Sequence, residues 1–194
     1  MQFKTALLSL LAAVASAAPS GKSCPAPVRK FGIMALRSAS DIHFARVSAT
    51  QSHMVLHLEE GKADAQCEDG SSGEDGAIFY IKNEELFLYG KDTKQQFFVD
   101  RSGMGLGVMQ YFNSTGGPIG GRLELKGWAI DENDKLTFNG HDLIACPNSV
   151  LNGWSVWVYV GSDKPAGQEG CLGFSARAVT VTDPVKCDYS IYTY

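Results

Sequence analysis

The feature that most limits what this chain can fold into is a recurrence of short apolar runs between turn-forming residues. They span residues 31–36, 54–58, 77–81, 86–89, 97–99, 128–130, 136–138, 143–146, 154–160 and 172–181. Each run is rich in β-branched or aromatic side chains and is bounded by Gly, Asn or Asp. That pattern predicts an all-β antiparallel sandwich or barrel with little helix. No segment sustains the apolar period of about 3.6 residues that a helix needs to bury one face. Asn83-Glu84-Glu85, Asp131-Glu132-Asn133-Asp134 and Asn139-Gly140 read as hairpin turns, the last being a favoured type I′ dipeptide. In the run from Leu172 to Val181 the apolar side chains sit first at even and then at odd positions. An uninterrupted strand cannot face both sets inward, so a β-bulge is expected near Arg177-Ala178. Neither a repeat nor a linker divides the chain, and residues 18–194 are expected to form a single β-rich domain.

The N-terminus carries the marks of a secretory signal. Lys4 supplies positive charge, Thr5 to Val14 is an apolar core too short to span a bilayer, and Ala15-Ser16-Ala17 is a small-x-small cleavage site. Residues 1–17 are therefore expected to be removed. No transmembrane span and no GPI signal is read from the rest. The chain has 17 Lys and Arg against 21 Asp and Glu, a net charge of -4, which argues against a nucleic-acid partner. Much of the negative charge lies in Gly61 to Gly76, where five acids meet one lysine among Gly and Ser. This segment reads as a solvated loop pinned by Cys67. The five cysteines, in an oxidising compartment, allow two disulfides and leave one thiol over. Cys24, Cys67, Cys171 and Cys187 are the disulfide candidates, with Cys171 and Cys187 able to close a short loop. Cys146, at the end of an apolar run, is the candidate free thiol.

Motifs for chemistry are sparse. His53 and His57 flank Met54-Val55-Leu56, but a strand separates them by about 13 Å, too far to share one ion. Met54, Leu56 and Leu58 are expected to face the core and His53, Val55, His57 and Glu59 to face outward. Gly103-Met104-Gly105-Leu106-Gly107 lacks the following helix that phosphate binding requires, and reads as a tight turn. Asp100-Arg101-Ser102 would need His43, His53, His57 or His141 brought to it before hydrolase chemistry could be argued. The spacing of Asp64, Glu68, Asp69, Glu74 and Asp75 is not that of an EF-hand. No catalytic residue, metal site or cofactor is expected. In Trp154 to Val160 one strand face carries Trp154, Val156, Val158 and Val160. The other carries Ser155, Trp157 and Tyr159, and Trp157 with Tyr159 could stack on a sugar ring. Asn113-Ser114-Thr115 is an N-glycosylation sequon in a turn-prone stretch.

Three stretches, Phe98-Val99-Asp100-Arg101-Ser102-Gly103-Met104-Gly105, Gly127-Trp128-Ala129-Ile130-Asp131 and Asp142 to Ser149, resemble the fungal cell wall protein PhiA family. Trp154-Ser155-Val156-Trp157, Pro165-Ala166-Gly167 and Cys171 to Arg177 continue the resemblance in the same order. It is densest from about Phe97 to Cys187 and weaker from Asp41 to Gly76. The resemblance implies a secreted, wall-associated structural or interaction protein with a role in phialide and conidium development during asexual sporulation. Its implied partners are wall polysaccharides or wall proteins, with no nucleic acid and no membrane. It implies no catalytic residue. A carbohydrate-binding module and a small secreted hydrolase are the alternative readings.

Overall fold

The computed structural model describes residues 27–114 and 122–192. Fourteen strands are formed among them. They are β1 Phe31–Leu36, β2 Val47–Thr50, β3 His53–Leu56, β4 Gln66–Cys67, β5 Phe79–Lys82, β6 Glu85–Leu88 and β7 Gln95–Asp100. The chain continues through β8 Val108–Asn113, β9 Trp128–Ile130, β10 Lys135–Phe138, β11 Leu143–Cys146, β12 Trp154–Val158, β13 Leu172–Thr180 and β14 Cys187–Asp188. Among the described residues helix is confined to two single 3-10 turns, Val150–Asn152 and Pro165–Gly167. The all-β antiparallel fold class expected from the apolar runs is the one observed.

Turn chemistry sets the hairpins. Asn83 and Glu84 both have positive φ and join β5 to β6 with Lys82 opposite Glu85. Asp131 caps the β9–β10 turn, its carboxylate accepting from the backbone N–H of Asn133 and Lys135. Asn139 and Gly140 take positive φ between Phe138 and its bridge partner His141. All three turns fall where the sequence places them.

The main sheet runs β2-β3-β12-β11-β13-β1-β5-β6-β7-β8, and the β9–β10 hairpin joins it through β13. β13 is the spine. Its residues 172–174 pair with β11 and its residues 176–177 with β10, so the sheet forks around Ser175. The other edge of β13 pairs with β1 from Leu36↔Ser175 to Phe31↔Thr180 with no skipped residue. The expected bulge near Arg177-Ala178 is therefore absent. Phe174, Ala176 and Ala178 keep facing inward, and Val179 is 42% exposed instead. Arg29 explains how the strand holds its register. Its guanidinium bonds the Asp134 carboxylate, the Ala178 carbonyl and the Thr180 hydroxyl, while Ala178 N–H donates to Asp134 O.

The inward faces share one core. Phe31, Phe79, Phe97 and Tyr111 make a chain of ring contacts 5.4 to 6.1 Å apart that crosses from β1 to β8. Trp128 packs edge-on against Phe138 at 5.0 Å. Each such ring, withdrawn from water, contributes about 1.5–3 kcal/mol of hydrophobic stabilisation. Met54 and Leu56 face this core, as expected of their strand. Val55, expected to face outward, is fully buried, because the connection from β11 to β12 crosses over it at Gly153. His57 takes a positive φ and ends the alternation, which leaves Leu58 half-buried.

The curled sheet brings its remote strands together. Tyr111 N–H on β8 donates to Ser52 O in the β2–β3 turn at 2.8 Å, and Val158 N–H on β12 donates to Gly107 O at 2.9 Å. Gly107, at φ +87°, is the tight turn expected of the glycine-rich stretch; any Cβ there would run into the Val158 carbonyl. Residues 187–192 then stitch the junction. The Gln95 side chain, 1% exposed, donates to Tyr189 O and accepts from Tyr189 N–H as a strand neighbour would. Ser190 O accepts from Ser52 N–H and from the Tyr111 hydroxyl, and Ser190 Oγ accepts from Gln51 N–H. Burial pushes the phenols of both tyrosines up, Tyr189 to about 12, so both stay neutral across the physiological range, Tyr111 as a donor and Tyr189 as the acceptor of Ile78 N–H.

The disulfides correct the cysteine expectations. Cys146 is not free; it is bonded to Cys171 and holds the ends of the 147–170 excursion together. Cys187 is bonded to Cys67, not to Cys171, across the small β4–β14 ladder. Cys24 lies outside the described residues. The acidic loop is thus tied to the C-terminal segment, with Glu68 also paired to Lys186 at 2.9 Å.

Two outcomes follow. Gly107→Ala should lower the urea-unfolding free energy by about 1–3 kcal/mol, since it adds both left-handed strain and overlap with β12. Asp188 accepts from the backbone N–H of Lys91, Asp92 and Thr93 and from the Thr93 hydroxyl. Burial opposes its charge, yet those donors win and hold its carboxyl below the usual range. A depressed carboxylate stabilises above its unfolded pKa of about 3.9 and loses that stabilisation as pH falls through the folded value. Asp188→Asn should therefore cost about 1 kcal/mol at neutral pH and little in strong acid, read from urea midpoints at both.

Candidate functional site

β11, β12 and the first residues of β13 present an outer face as well as a core face. On the core side lie Leu143, Ala145, Val156 and Val158. On the outer side Trp157 stands opposite Ile144, and Ile144 opposite Gly173. Gly173 has no side chain to fill that position, and open space lies above it. The result is an open groove of about 640 Å³ with Gly173 exposed on its floor and the buried Ile144 beside it.

Tyr159 borders this groove, held in ladder register by its N–H bond to Asp142 O at 2.8 Å. Asp142 and Asp163 bring carboxylates to the rim and Arg37 a guanidinium, which also donates to Gly173 O at 2.6 Å. Asp142 is ion-paired with Lys135. Cys171 lines the same groove, so its bond to Cys146 anchors the loop that carries Asp163. Trp157 is half-buried one step away along β12, with its indole N–H donating to Ser155 Oγ at 2.9 Å. That bond leaves the indole with no donor for a ligand and fixes the ring against its own strand. The site therefore combines one groove-lining phenol, an adjacent fixed indole, and polar groups of both signs, the composition that suits a hydroxyl-rich ring. Arg37, Asp142 and Asp163 were not among the sequence candidates. They lie on three separate connections, and only the fold brings them to one rim.

The remaining candidates are dispersed. His53, half-buried, contacts Gln51 O and the Gln110 amide; burial lowers its pKa, opposed by the Gln51 bond, so it is neutral at physiological pH. His57 contacts Asp41 O at 2.6 Å, and His43 accepts from Arg37 N–H at 3.1 Å. The two β3 histidines thus have separate partners. His141 shares a cleft with Ser102 and Glu124. Yet the Ser102 hydroxyl accepts from Gly105 N–H, and Glu124 is engaged in a two-point bond with Arg101 at 2.8 and 2.6 Å. The bond to Arg101 also holds the Glu124 carboxyl below the usual range. No hydrogen bond joins Ser102 to His141 among the described residues, so the three do not form a relay. In the acidic loop Asp64 accepts from the Thr50 hydroxyl and Asp69 from Ser71 N–H. Among the described residues no group of three or more His, Cys, Asp or Glu is arranged to hold a metal ion.

Asn113, the glycosylation candidate, ends β8. Its amide oxygen accepts from Gln95 Nε2 at 3.3 Å. Thr115 of the sequon lies outside the described residues.

Comparison with known proteins assigns the chain. Residues 31–190 match the PhiA-like secreted protein family. The cell wall protein phiA of Emericella nidulans is 40% identical over 185 residues, covering 94% of this chain and 98% of that protein. The cell wall protein phiA of Aspergillus fumigatus is 42% identical over 184 residues, covering 93% and 96%. That of Arthroderma benhamiae is 34% identical over 188 residues, covering 95% and 99%. No solved structure matches. With the match extending from the first strand to the C-terminal stitch, this chain belongs to the PhiA-like secreted protein family.

Proposed function

We propose that this chain is a non-enzymatic protein of the fungal cell wall that contacts wall polysaccharide through the groove beside Tyr159 and Trp157. The observation that carries this reading is the open floor at Gly173, flanked by an aromatic ring and by polar side chains of both signs. A pyranose ring has apolar faces and a polar rim, and this surface offers partners for both. The curated relatives, named as cell wall proteins, support placing the contact in the wall. The implied role in phialide and conidium development is carried by that kinship, with binding as its physical basis. The mature form in this reading is one β-rich domain of residues 18–194, freed of residues 1–17 and glycosylated at Asn113.

Tyr159→Ala should weaken co-sedimentation with insoluble chitin or β-glucan about fivefold, the effect of removing about 1 kcal/mol of ring contact, and leave the circular dichroism spectrum unchanged. Trp157→Ala should add to the loss. Undiminished sedimentation by a folded double variant would move the contact elsewhere. Intact mass before and after glycan removal checks maturation: the expected product begins at Ala18 and loses one N-glycan. Two peptide pairs, Cys67 with Cys187 and Cys146 with Cys171, should survive unreduced digestion.

A further inference from the structure

An acidic protein carries a second, basic groove that shares no lining residue with the Tyr159 groove. The β5–β6 hairpin and the turn before β7 enclose a depression of about 450 Å³ bordered by Lys30, Lys82, Lys91 and Lys94, with Asp92 its one acid. These lysines come from three separate parts of a chain whose net charge is -4. Lys82, Lys91 and Lys94 are exposed, while Lys30 is half-buried.

The way the ammonium groups are held matters more than their number. Lys30 Nζ lies 4.6 Å from the centre of the Tyr80 ring and 5.0 Å from that of Tyr89, and it donates to Val28 O. Lys94 Nζ lies 4.5 Å from the Phe87 ring, which stacks on Tyr80 at 5.1 Å. Among the described residues no ion pair includes Lys30, Lys82 or Lys94, and Lys91 meets Asp92 only at 3.9 Å. Ring faces position an ammonium without neutralising it. Glu85 stands opposite Lys82 across the hairpin, and the Asp188 carboxylate nearby is already filled by backbone donors of the 91–93 turn. Burial lowers the pKa of Lys30, a cost that an arriving anion would relieve.

We propose that this groove is a second saccharide site, selective for acidic sugars: a ring bearing a carboxylate or a phosphate, lying against Tyr89 with its anion among the lysines. The choice of a sugar over other polyanions rests on the wall location proposed above, whereas the groove itself is independent of Tyr159. Aromatic ring and fixed cation together match an acidic sugar better than a bare anion, which would need no ring.

The test uses the full mature protein and three probes: an oligogalacturonide, a phosphorylated oligomannose and the neutral oligomannose. The expected result is binding of an acidic probe, with the two acidic arms separating carboxylate from phosphate. Neutral oligomannose should not bind this groove. Affinity should fall about tenfold or more in Lys82→Gln/Lys91→Gln/Lys94→Gln, and steeply on raising salt from about 50 to 300 mM. Tyr159→Ala should leave it unchanged. Lys82→Gln alone, at an exposed hairpin, reports the same loss in smaller measure should the triple variant not fold. Failure of both acidic probes to bind overturns the proposal, as does equal binding by a folded lysine variant. Binding of anionic lipid vesicles or RNA without binding of acidic sugar also overturns it. If the lysine variants change nothing while Tyr159→Ala still weakens sedimentation with neutral polysaccharide, this proposal fails and the wall-binding reading stands.

Discussion

The constraint on which the rest of the structure depends is closure. A long antiparallel sheet has two edges, and unpaired edge N–H and C=O groups are both unstable when buried and adhesive when exposed. Here the curl brings β8 against β3 and β12, but among the described residues direct backbone bonds join the approach only at Ser52–Tyr111 and Gly107–Val158. The segment from Cys187 to Tyr192 supplies what the strands do not. Gln95 is a side chain acting as a strand neighbour: its amide meets both the N–H and the C=O of Tyr189. Ser190 does the complementary work at the β2–β3 turn. Buried amide hydrogen bonds made this way add only about 1 kcal/mol each, yet leaving their partners unmet would cost more than that.

Closure also decides where function can lie. With the inner faces filled by aromatic rings, ligands are left with the outer faces and the excursions. Two outer surfaces stand out, and each owes its form to a small departure from a plain strand. On β13 the departure is Gly173, whose missing side chain opens a floor between Ile144 and Arg37. At the second groove it is the 91–93 turn, drawn tight by Asp188, which presents Lys91 and Lys94 beside the hairpin lysines. The two surfaces differ in charge, the first carrying Arg37, Asp142 and Asp163 and the second four lysines with one acid.

Much of the fold was legible from residue pattern because strand period and turn chemistry are local. Phe31 to Leu36, Trp128 to Ile130 and Leu143 to Cys146 became strands with the bounds their apolar runs suggested. Asn83 and Asn139 took the left-handed conformation their turns require. What was not legible depends on distant partners. β8, which follows a glycine-rich stretch and alternates Met109 and Tyr111 inward, is hard to see because Gln110 splits its apolar residues into the short pairs Val108-Met109 and Tyr111-Phe112. The bulge on β13 was inferred from valines at odd positions, but small Ala178 satisfies the inner face and Arg29, far away in sequence, fixes the register. Cys146 read as a buried thiol since its own run is apolar; its partner lies 25 residues on. The Tyr159 rim shows the same limit. The aromatic residues announce themselves in one heptad-length stretch, while the charged groups around them are collected only by folding.

The C-terminal stitch has a consequence for how the molecule is made. Residues 187–192 follow, in order of synthesis, every strand they clasp, and Cys187 reaches back 120 residues to Cys67. The sheet therefore cannot finish closing before residues 187–192 are made, and its edges stay open until the stitch arrives. Contacts of such span form slowly, since loop-closure entropy is lost before the contact is gained. Oxidation to the Cys67–Cys187 bond then acts as a latch. It ties the C-terminal stitch covalently to the acidic loop by a bond that persists in an oxidising compartment, the kind through which a secreted protein passes.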